Sequence, residues 1–356
     1  MGGIESFLLT LAGLEGRLLH EHAVCFEGEV AHRLREAGAT VHLLGPVRLR
    51  RPLSVRRARR RLRAVLQTGG HQVVVAHGGW SLGIARPVAR ALGRRLVWFA
   101  HGPPVRTLLE WWALRRAPDL VLANSAYTAA AVAARLPRVS TRVIHPAVPP
   151  PTPSWAAQRE ATRQRLGVGP GEVVIAMVGR LDPCKGHEVL LQALSGLALD
   201  LAVRAWIVGG AQDERERAVE RALLASAAGL GGRASFLGPR RDVPALLAAA
   251  DIYCQPNVGP DAFGITFVEA MYAGLPVVTS DLGAAREVLG EAAGALLPAG
   301  DVVALRAALE ALVRSPERRR ALGAAGPARA RALCDPAAQL ARLEEALLDP
   351  VGTPGV

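Results

Sequence analysis

Short apolar runs alternate along the chain with longer segments in which apolar residues recur at helical spacing. The runs of the first half are HAVCF (22–26), TVHLL (40–44), QVVVA (72–76), RLVWFA (95–100), LVLAN (120–124) and TRVIH (141–145). Those of the second half are EVVIAMVG (172–179), LAVRAWIVG (201–209), RASFLG (233–238), DIYCQP (251–256) and LPVVTS (275–280). Because strands of a parallel sheet are buried on both faces and joined by helices, this order is typical of βαβ units. The pattern predicts two Rossmann-like, doubly wound α/β domains.

A proline-rich segment divides the two sets of runs. It begins at Pro146 with the sequence PAVPPPTPSW, which suits neither a strand nor a helix interior. From Asp301 onward, Ala, Leu, Arg and Glu at helical spacing predict several consecutive helices. We therefore expect an N-terminal domain over residues 1–145, a linker over 146–165, a C-terminal domain over 166–332, and a terminal helix and tail over 333–356 that packs back toward the N-terminal domain.

The chain begins MGGIESFLLTLA, at a glycine turn rather than at a strand. A doubly wound domain normally opens with a central strand that leads into such a turn. We therefore expect the first strand of the N-terminal domain to be missing. Either the true start lies upstream of Met1, or another segment fills the gap, because an empty central position would leave unpaired backbone groups.

The composition fits a globular protein without a membrane span. Half of the residues are hydrophobic and 21% are charged, which excludes long disordered stretches. No apolar run approaches the roughly 18–20 residues needed to cross a bilayer, and the first residues do not predict a secretory signal. The four cysteines form no CxxC pair, so neither a zinc site nor a redox motif is indicated. We expect a cytoplasmic protein, and any membrane contact would be peripheral, on the inner face.

The formal net charge of +12 comes almost entirely from arginine, because Lys185 is the only lysine among the 43 basic residues. Nine of the arginines lie between Arg48 and Gln67. This stretch, from Arg48 to Arg63, either contacts an anionic membrane or forms a solvated helix face in an arginine-rich protein. Aromatic residues do not interleave with these arginines, so nucleic-acid binding is not expected.

The first candidate motif is VVIAMVGRLDPCKGHEVLLQAL, from Val173 to Leu194. An apolar strand is followed by Gly179 and Arg180, and Lys185 and Gly186 then precede a helix. Two cations at the carboxyl end of one strand suit the binding of phosphate groups. The alternative is a pair of surface charges on an ordinary βα loop. Neither a Walker pattern nor GxGxxG occurs here, which disfavours ATP and NAD.

The second candidate motif extends from Tyr253 to Glu291. If a helix begins near Gly264, the free amides of Ile265 and Thr266 form an anion site at its N-terminus. Glu269, four residues after Ile265, could accept hydrogen bonds from vicinal hydroxyls, and Asp261 could do the same from the preceding loop. The alternative is that Asp261 caps the helix and Glu269 is solvated.

Together, the two motifs resemble the retaining GT-B glycosyltransferases of family 4. The shared features are GR…KG, an acidic residue with a glutamate eight positions later, FG, EAM, G-x-PVV and a later glutamate, here Glu287. The resemblance runs from GGIESF to the terminal helices. It implies two Rossmann-like domains with an interdomain cleft, an acceptor-side N-terminal domain and a donor-binding C-terminal domain.

The resemblance also implies roles for single residues. Catalytic roles fall to Arg180, Lys185, Asp261 and His101. Donor-binding roles fall to Gly2, Gly3, Gly179, Phe263, Gly264, Ile265, Thr266 and Glu269. Among these, Arg180 and Lys185 would bind the donor diphosphate and Glu269 the ribose. Asp261 would face the transferred sugar, and His101 would line the sugar and acceptor side.

Asp261 departs from the family pattern, which usually has glutamate there. The shorter side chain changes the reach to the sugar hydroxyls. A DxD triplet is absent and the histidines are scattered, so we expect metal-independent catalysis and no cofactor besides the nucleotide-sugar substrate.

The implied activity is transfer of a hexose-type sugar from a nucleoside diphosphate to an unidentified acceptor with retention of configuration. A nucleotide-sugar epimerase and a non-enzymatic two-domain sugar-binding protein remain as alternatives.

Overall fold

The structure, a computed structural model, describes residues 3–48, 50–105 and 107–349. These residues form two compact units. The first unit contains the residues up to Pro149 and those from Cys334 onward, and the second contains Pro150–Leu333. The chain thus leaves the first unit, builds the second, and returns.

The first unit contains seven helices and six strands among its described residues. Its strands are β1 (Glu21–Val24), β2 (Thr40–Leu43), β3 (Val73–His77), β4 (Arg95–Ala100), β5 (Leu120–Ala123) and β6 (Thr141–Val143). Its helices are α1 (Gly3–Ala12), α2 (Glu29–Glu36), α3 (Pro52–Thr68), α4 (Gly79–Ala91), α5 (Leu108–Leu114), α6 (Ala126–Arg135) and, at the far end of the chain, α17 (Pro336–Leu348).

The strands of the first unit form two separate parallel sheets. One is the pair β1-β2, and the other has the order β3-β4-β5-β6. Within the described part of the chain, no strand is hydrogen-bonded between β1 and β3. A side-chain link is present there instead, because the Glu21 carboxylate lies 2.8 Å from a ring nitrogen of His42 and 2.8 Å from one of His71. The gap between the two sheets lies where the sequence led us to expect that the first strand is missing. The absence of that strand stays a prediction.

The last helix belongs to the core of the first unit. Leu340 and Leu343 of α17 pack with Val97 and Phe99 of β4. The Arg95 guanidinium donates to the backbone carbonyls of Leu347 and Asp349, each at 2.7 Å. Where the chain crosses between units, the Val148 amide donates to the Cys334 carbonyl at 3.0 Å. The first unit is therefore completed only by residues that follow the whole second unit.

The second unit has one six-stranded parallel sheet with helices between its strands. The strands are β7 (Val173–Val178), β8 (Val203–Val208), β9 (Ala234–Gly238), β10 (Ile252–Gln255), β11 (Val277–Ser280) and β12 (Gly294–Leu297). The helices are α7 (Pro153–Ala157), α8 (Arg159–Arg165), α9 (His187–Ser195), α10 (Glu214–Ala228), α11 (Val243–Ala249), α12 (Ile265–Tyr272), α13 (Ala285–Leu289), α14 (Val302–Arg314), α15 (Pro316–Gly323) and α16 (Gly326–Cys334).

The strand order is β12-β11-β10-β7-β8-β9. This is the Rossmann order, in which the connections reverse direction between the first and fourth strands, here β7 and β10. In open α/β sheets, ligands bind at the carboxyl ends of the strands on either side of this point. The fold therefore predicts a site after Val178 and after Gln255.

Two features of the second unit differ from the sequence-based expectation. The segment predicted as a linker, 146–165, contains the short helices α7 and α8. Pro153 begins α7, where its missing N–H has no helical partner to lose. The edge strand β12, with the sequence GALL, was not predicted, because four residues that begin with glycine carry almost no strand signal.

No helix among the described residues is both long and apolar enough to cross a bilayer.

Candidate functional site

The candidate site of the second unit lies at the carboxyl ends of β7 and β10. Gly179 and Arg180 follow β7, and Pro256 follows the end of β10 at Gln255. The first predicted motif therefore stands beside the second, although 75 residues separate Arg180 from Gln255 along the chain. Because β7 and β10 are adjacent and parallel, both motifs lie at the same, carboxyl-terminal end of the sheet.

The loop that carries Lys185 is held against the loop after β10. Gly186 has a φ of +76°, and a Cβ there would lie 1.8 Å from the Pro256 carbonyl oxygen. Only glycine allows both this conformation and this approach. The amides of Val258 and Gly259 donate to the Cys184 carbonyl at 2.9 and 3.2 Å. These contacts fix the backbone on both sides of Lys185.

Lys185 and Asp261 form an ion pair. The distance from Nζ to Oδ2 is 2.5 Å, and both side chains are mostly buried. The alternative in which Asp261 caps α12 is not seen, because Gly264 is the N-cap and no side chain bonds to the cap position. Two residues that were predicted separately for the diphosphate and for the sugar are thus in direct contact.

Arg180 is held by two carboxylates. Its guanidinium donates to Glu216 at 2.6 Å and to Asp182 at 3.3 Å. Glu216 is buried, and its carboxylate also accepts a hydrogen bond from the Gln212 amide at 2.7 Å. The position of this carboxylate is therefore fixed. Sequence reasoning missed Glu216. It lies on α10, 36 residues after Arg180, and no local pattern connects the two.

The N-terminus of α12 is available to an anion. Its N-cap, Gly264, offers no side-chain oxygen, and the first helical residues are Ile265 and Thr266, as predicted. Their amides precede the first intrahelical bond, so they point toward the site with the positive end of the helix dipole. Phe263, just before the cap, is buried and anchors the turn.

Glu269 lies in the middle of α12, mostly enclosed by protein. Burial raises the pKa of its carboxyl to about 7. Among the described residues, the Glu269 carboxyl has no hydrogen-bond or ion-pair partner, unlike that of Asp261. A carboxylate held without a partner in this position is ready to accept hydrogen bonds from a ligand.

A buried polar network supports this end of the sheet. The Tyr253 hydroxyl lies 2.8 Å from the Thr266 hydroxyl and 3.0 Å from the Gln255 amide oxygen. Gln255 in turn donates to the Asn257 amide oxygen at 2.9 Å. Burial raises the pKa of Tyr253, so the phenol stays protonated. Gln255 and Asn257 were not predicted as site residues, although both lie within the second motif.

The remaining predicted residues lie in the first unit. His101 follows β4 and is hydrogen-bonded at 2.8 Å to His77, the last residue of β3. Both rings stack with Phe99. Burial lowers the pKa of His101 to about 4, and burial together with His101 lowers that of His77, so both rings are neutral near pH 7. Gly3 begins α1, and Gly2 lies outside the described residues.

The geometry brings Gly179, Arg180, Lys185, Asp261 and α12 together at one edge of the second sheet. Both cations are already paired with carboxylates. A bound anion would therefore compete with Glu216 for Arg180 and with Asp261 for Lys185.

Family models match residues of both units of the chain. Residues 1–150 match the family model Glycosyltransferase Family 4, and residues 158–329 match Glycosyl transferases group 1. A phosphatidyl-myo-inositol mannosyltransferase of Mycobacterium leprae is 43% identical over 156 residues, which are 43% of this chain and 40% of that protein. A D-inositol 3-phosphate glycosyltransferase of Mycobacterium marinum is 29% identical over 68% of this chain and 51% of that protein. The chain thus spans about half or less of these relatives' length.

Solved structures show the same fold over nearly the whole chain. The Anabaena protein HepE in complex with UDP and glucose superposes with a TM-score of 0.85 and 24% identity, covering 98% of this chain and 96% of that one. WaaG, a glycosyltransferase involved in lipopolysaccharide biosynthesis, superposes with a TM-score of 0.72 and 18% identity, covering 98% and 97%. The predicted GT-B fold is confirmed. The chain therefore has the GT-B fold, and it matches the model Glycosyltransferase Family 4 over residues 1–150 and the model Glycosyl transferases group 1 over residues 158–329.

Proposed function

We propose that the protein transfers a sugar from a nucleoside diphosphate to an acceptor hydroxyl, with retention of configuration. The observation that carries this proposal is the charge arrangement at the switch point of the second unit. There, Arg180 and Lys185 stand with the uncapped N-terminus of α12, in a site that also contains the unpartnered carboxyl of Glu269.

Each group has a place in the proposed reaction. As the bond between the sugar C1 and the diphosphate oxygen breaks, negative charge grows on the diphosphate. Arg180, Lys185 and the first amides of α12 would stabilise that charge. The acceptor oxygen bonds to C1 from the same face, and its proton passes to the leaving diphosphate. Glu269 would accept hydrogen bonds from both ribose hydroxyls. Asp261 would accept a hydrogen bond from a sugar hydroxyl once Lys185 leaves its ion pair with Asp261 and binds the phosphate.

The acceptor is proposed from the relatives. Two of them are named for inositol-containing acceptors, a phosphatidyl-myo-inositol and a D-inositol 3-phosphate, so we propose a cyclic polyol that bears a phosphate. His101 would contribute a neutral ring that hydrogen-bonds to a hydroxyl of the acceptor, and His77 would fix its tautomer through their shared hydrogen bond.

Thermal stabilisation tests the donor. UDP, GDP, ADP and their hexose conjugates are added one at a time. A ligand at a hundred times its Kd should stabilise the protein by about 2.7 kcal/mol. The donor so found is then incubated with and without inositol phosphates. A glycosylated product supports transfer, an isomerised donor indicates an epimerase, and binding without turnover of any kind contradicts an enzyme.

Asp261→Asn separates sugar contact from phosphate contact. The change releases Lys185 from its ion pair, so affinity for the free nucleoside diphosphate should hold or rise. Affinity for the intact donor should fall about tenfold, as expected when a charged hydrogen-bond acceptor is lost. Calorimetric titration with both ligands measures the two constants. An equal fall in both would show that Asp261 only supports the phosphate loop.

Glu216→Ala tests whether a buried carboxylate positions Arg180. Without Glu216 the guanidinium loses its fixed partner, and we expect kcat/KM for the donor to fall about tenfold. Glu214→Gln is the matched control, since Glu214 is an exposed carboxylate on the same helix that pairs with Arg217. If both variants behave alike in donor kinetics, Glu216 has no positioning role.

A further inference from the structure

The candidate site contains a buried glutamine that the proposed reaction does not use. Gln255 is the last residue of β10, and its side chain is buried. Its backbone is fixed, because its carbonyl accepts a hydrogen bond from the Thr279 hydroxyl at 2.7 Å. Polar side chains are rarely buried unless their polar atoms have partners. The partners of this amide therefore indicate what the residue does.

The amide nitrogen of Gln255 faces two acceptors. Nε2 lies 2.9 Å from Oδ1 of Asn257 and 3.5 Å from Oδ2 of Asp261. The orientation of the amide follows from the second contact, since an ionised carboxylate only accepts hydrogen bonds and would repel an amide oxygen in that place. On the other side, Oε1 lies 3.0 Å from the Tyr253 hydroxyl, which can donate to it. One amide proton of Gln255 is thus directed at the carboxylate that we propose binds the sugar.

The backbone of Asp261 is held in place. Its carbonyl accepts a hydrogen bond from the Ala284 amide at 3.0 Å. Gly283 lies against the same carbonyl, because its φ is +61° and a Cβ there would be 2.2 Å from the oxygen. Aspartate is also one methylene shorter than the glutamate that is usual at this position in the family. The position of the carboxylate therefore depends on the side chains that touch it.

Among the described residues, two side chains contact the Asp261 carboxylate. The Lys185 ammonium is 2.5 Å from Oδ2, and the Gln255 amide lies at the far limit of a hydrogen bond from the same oxygen. In the proposed reaction, Lys185 leaves this ion pair to bind the diphosphate. A mostly buried carboxylate without a partner is costly. Gln255 is the donor that remains beside it.

We propose that Gln255 is a positioning residue for Asp261. When Lys185 moves to the diphosphate, the Gln255 amide takes over Oδ2 and leaves Oδ1 free to accept a hydrogen bond from a hydroxyl of the transferred sugar. The long side chain of the glutamine thus makes up for the short side chain of the aspartate. This inference rests on the proposed function, and it names the group that sets the position of the sugar-binding carboxylate.

A glutamine with a purely structural role would behave differently. It would only pair with Tyr253 and Asn257, and its loss would lower the melting temperature without distinguishing between ligands. A positioning residue for Asp261 affects binding of the intact donor more than binding of the free nucleoside diphosphate, because only the donor carries the sugar. The ratio of these two affinities therefore separates the two roles.

Calorimetric titration of Gln255→Met with both ligands measures this ratio. Methionine is similar in length but cannot donate a hydrogen bond to Asp261. Affinity for the intact donor should fall about tenfold, as expected when a hydrogen bond to a charged group is lost. Affinity for the free nucleoside diphosphate should stay nearly unchanged. Gln339→Met is the matched control, because Gln339 is also buried but lies on α17 of the first unit, and it should leave both affinities unchanged.

Gln255→Asn gives the same test with a polar side chain. It keeps the amide but is one methylene shorter, so it should show the same selective loss of donor affinity even where the methionine variant does not fold. Melting curves verify that each variant is folded. Equal losses for the two ligands, or no loss in either variant of Gln255, would overturn the positioning role. A wild type that binds no nucleoside diphosphate sugar would contradict the proposed function, and this inference with it.

A double variant tests whether the two side-chain lengths compensate for each other. Asp261→Glu alone brings a longer carboxylate against the Gln255 amide and should lower donor affinity. Combined with Gln255→Ala, which removes the crowding, the glutamate should bind the donor better than either single variant does. Such a result shows coupling between the two positions. Losses that simply add in the double variant would overturn the compensation.

Discussion

Lys185→Ala is expected to lower donor turnover by about 100- to 1,000-fold while the protein stays folded. Lys185 is the only lysine of the chain, and the loop that carries it is fixed by Gly186 and by two hydrogen bonds to the Cys184 carbonyl. Its ammonium is thus held at the place where the leaving diphosphate gains charge. Single-turnover kinetics with saturating donor measure the effect on the chemical step.

Lys185→Arg separates charge from shape. The guanidinium keeps the charge but is larger and planar, so it should restore part of the turnover and not all of it. Affinity for the free nucleoside diphosphate should change less than turnover, because charge on the leaving group is largest in the transition state. Unimpaired turnover in Lys185→Ala would remove the phosphate role, since that variant has no other lysine to substitute for it.

Glu269→Gln is expected to weaken nucleoside diphosphate binding about 10- to 100-fold, even without a sugar, because hydrogen bonds to a charged acceptor are replaced by weaker ones. Isothermal titration with the free nucleotide measures this. Glu291→Gln, an exposed carboxylate of the same motif, is the control and should bind normally. Equal affinity in wild type and Glu269→Gln would contradict the ribose role.

The same residue gives the wild type a pH dependence. Since burial raises the pKa of Glu269 to about 7, the carboxyl is largely protonated at pH 6 and ionised at pH 8. Ribose hydroxyls favour the ionised form, so they lower this pKa in the complex. Nucleotide affinity should therefore fall as the pH drops below about 7, by at most tenfold per pH unit, and the fall should be absent in Glu269→Gln.

The sign for stability is opposite. A carboxyl whose pKa is higher in the folded than in the unfolded protein binds its proton more tightly in the fold. The unliganded protein thus has the full contribution of the protonated Glu269 at acid pH and loses it as the pH rises through about 7. Ligand binding and unliganded stability should respond to pH in opposite directions.

The strands of the second unit follow the sequence closely because a buried parallel strand carries a continuous apolar signal. All five predicted runs contain a strand, from β7 to β11. β12 lies at an edge, is short and is only partly buried, so it lacks that signal. Helix α7 was not predicted because prolines break a helix interior, although they are accepted at its first turn, as Pro153 is here.

The site shows the same division between local and distant information. The positions of Gly264, Ile265 and Thr266 at a helix start follow from a local pattern. The pairing of Lys185 with Asp261 and of Arg180 with Glu216 joins residues 76 and 36 positions apart. Such pairs depend on strand order and loop packing, which a single sequence does not reveal.

The place of α17 in the core of the first unit has a consequence for synthesis on the ribosome. The second unit is continuous in sequence, so it can fold as soon as its last residues emerge. The first unit must wait for Leu340 and Leu343, which are made about 10–40 s after Pro149 at ordinary elongation rates. During that interval the apolar side of β4, including Val97 and Phe99, lacks its covering helix. The nascent chain is therefore most exposed to aggregation in its earliest-made part, and chaperone dependence should be a property of the first unit.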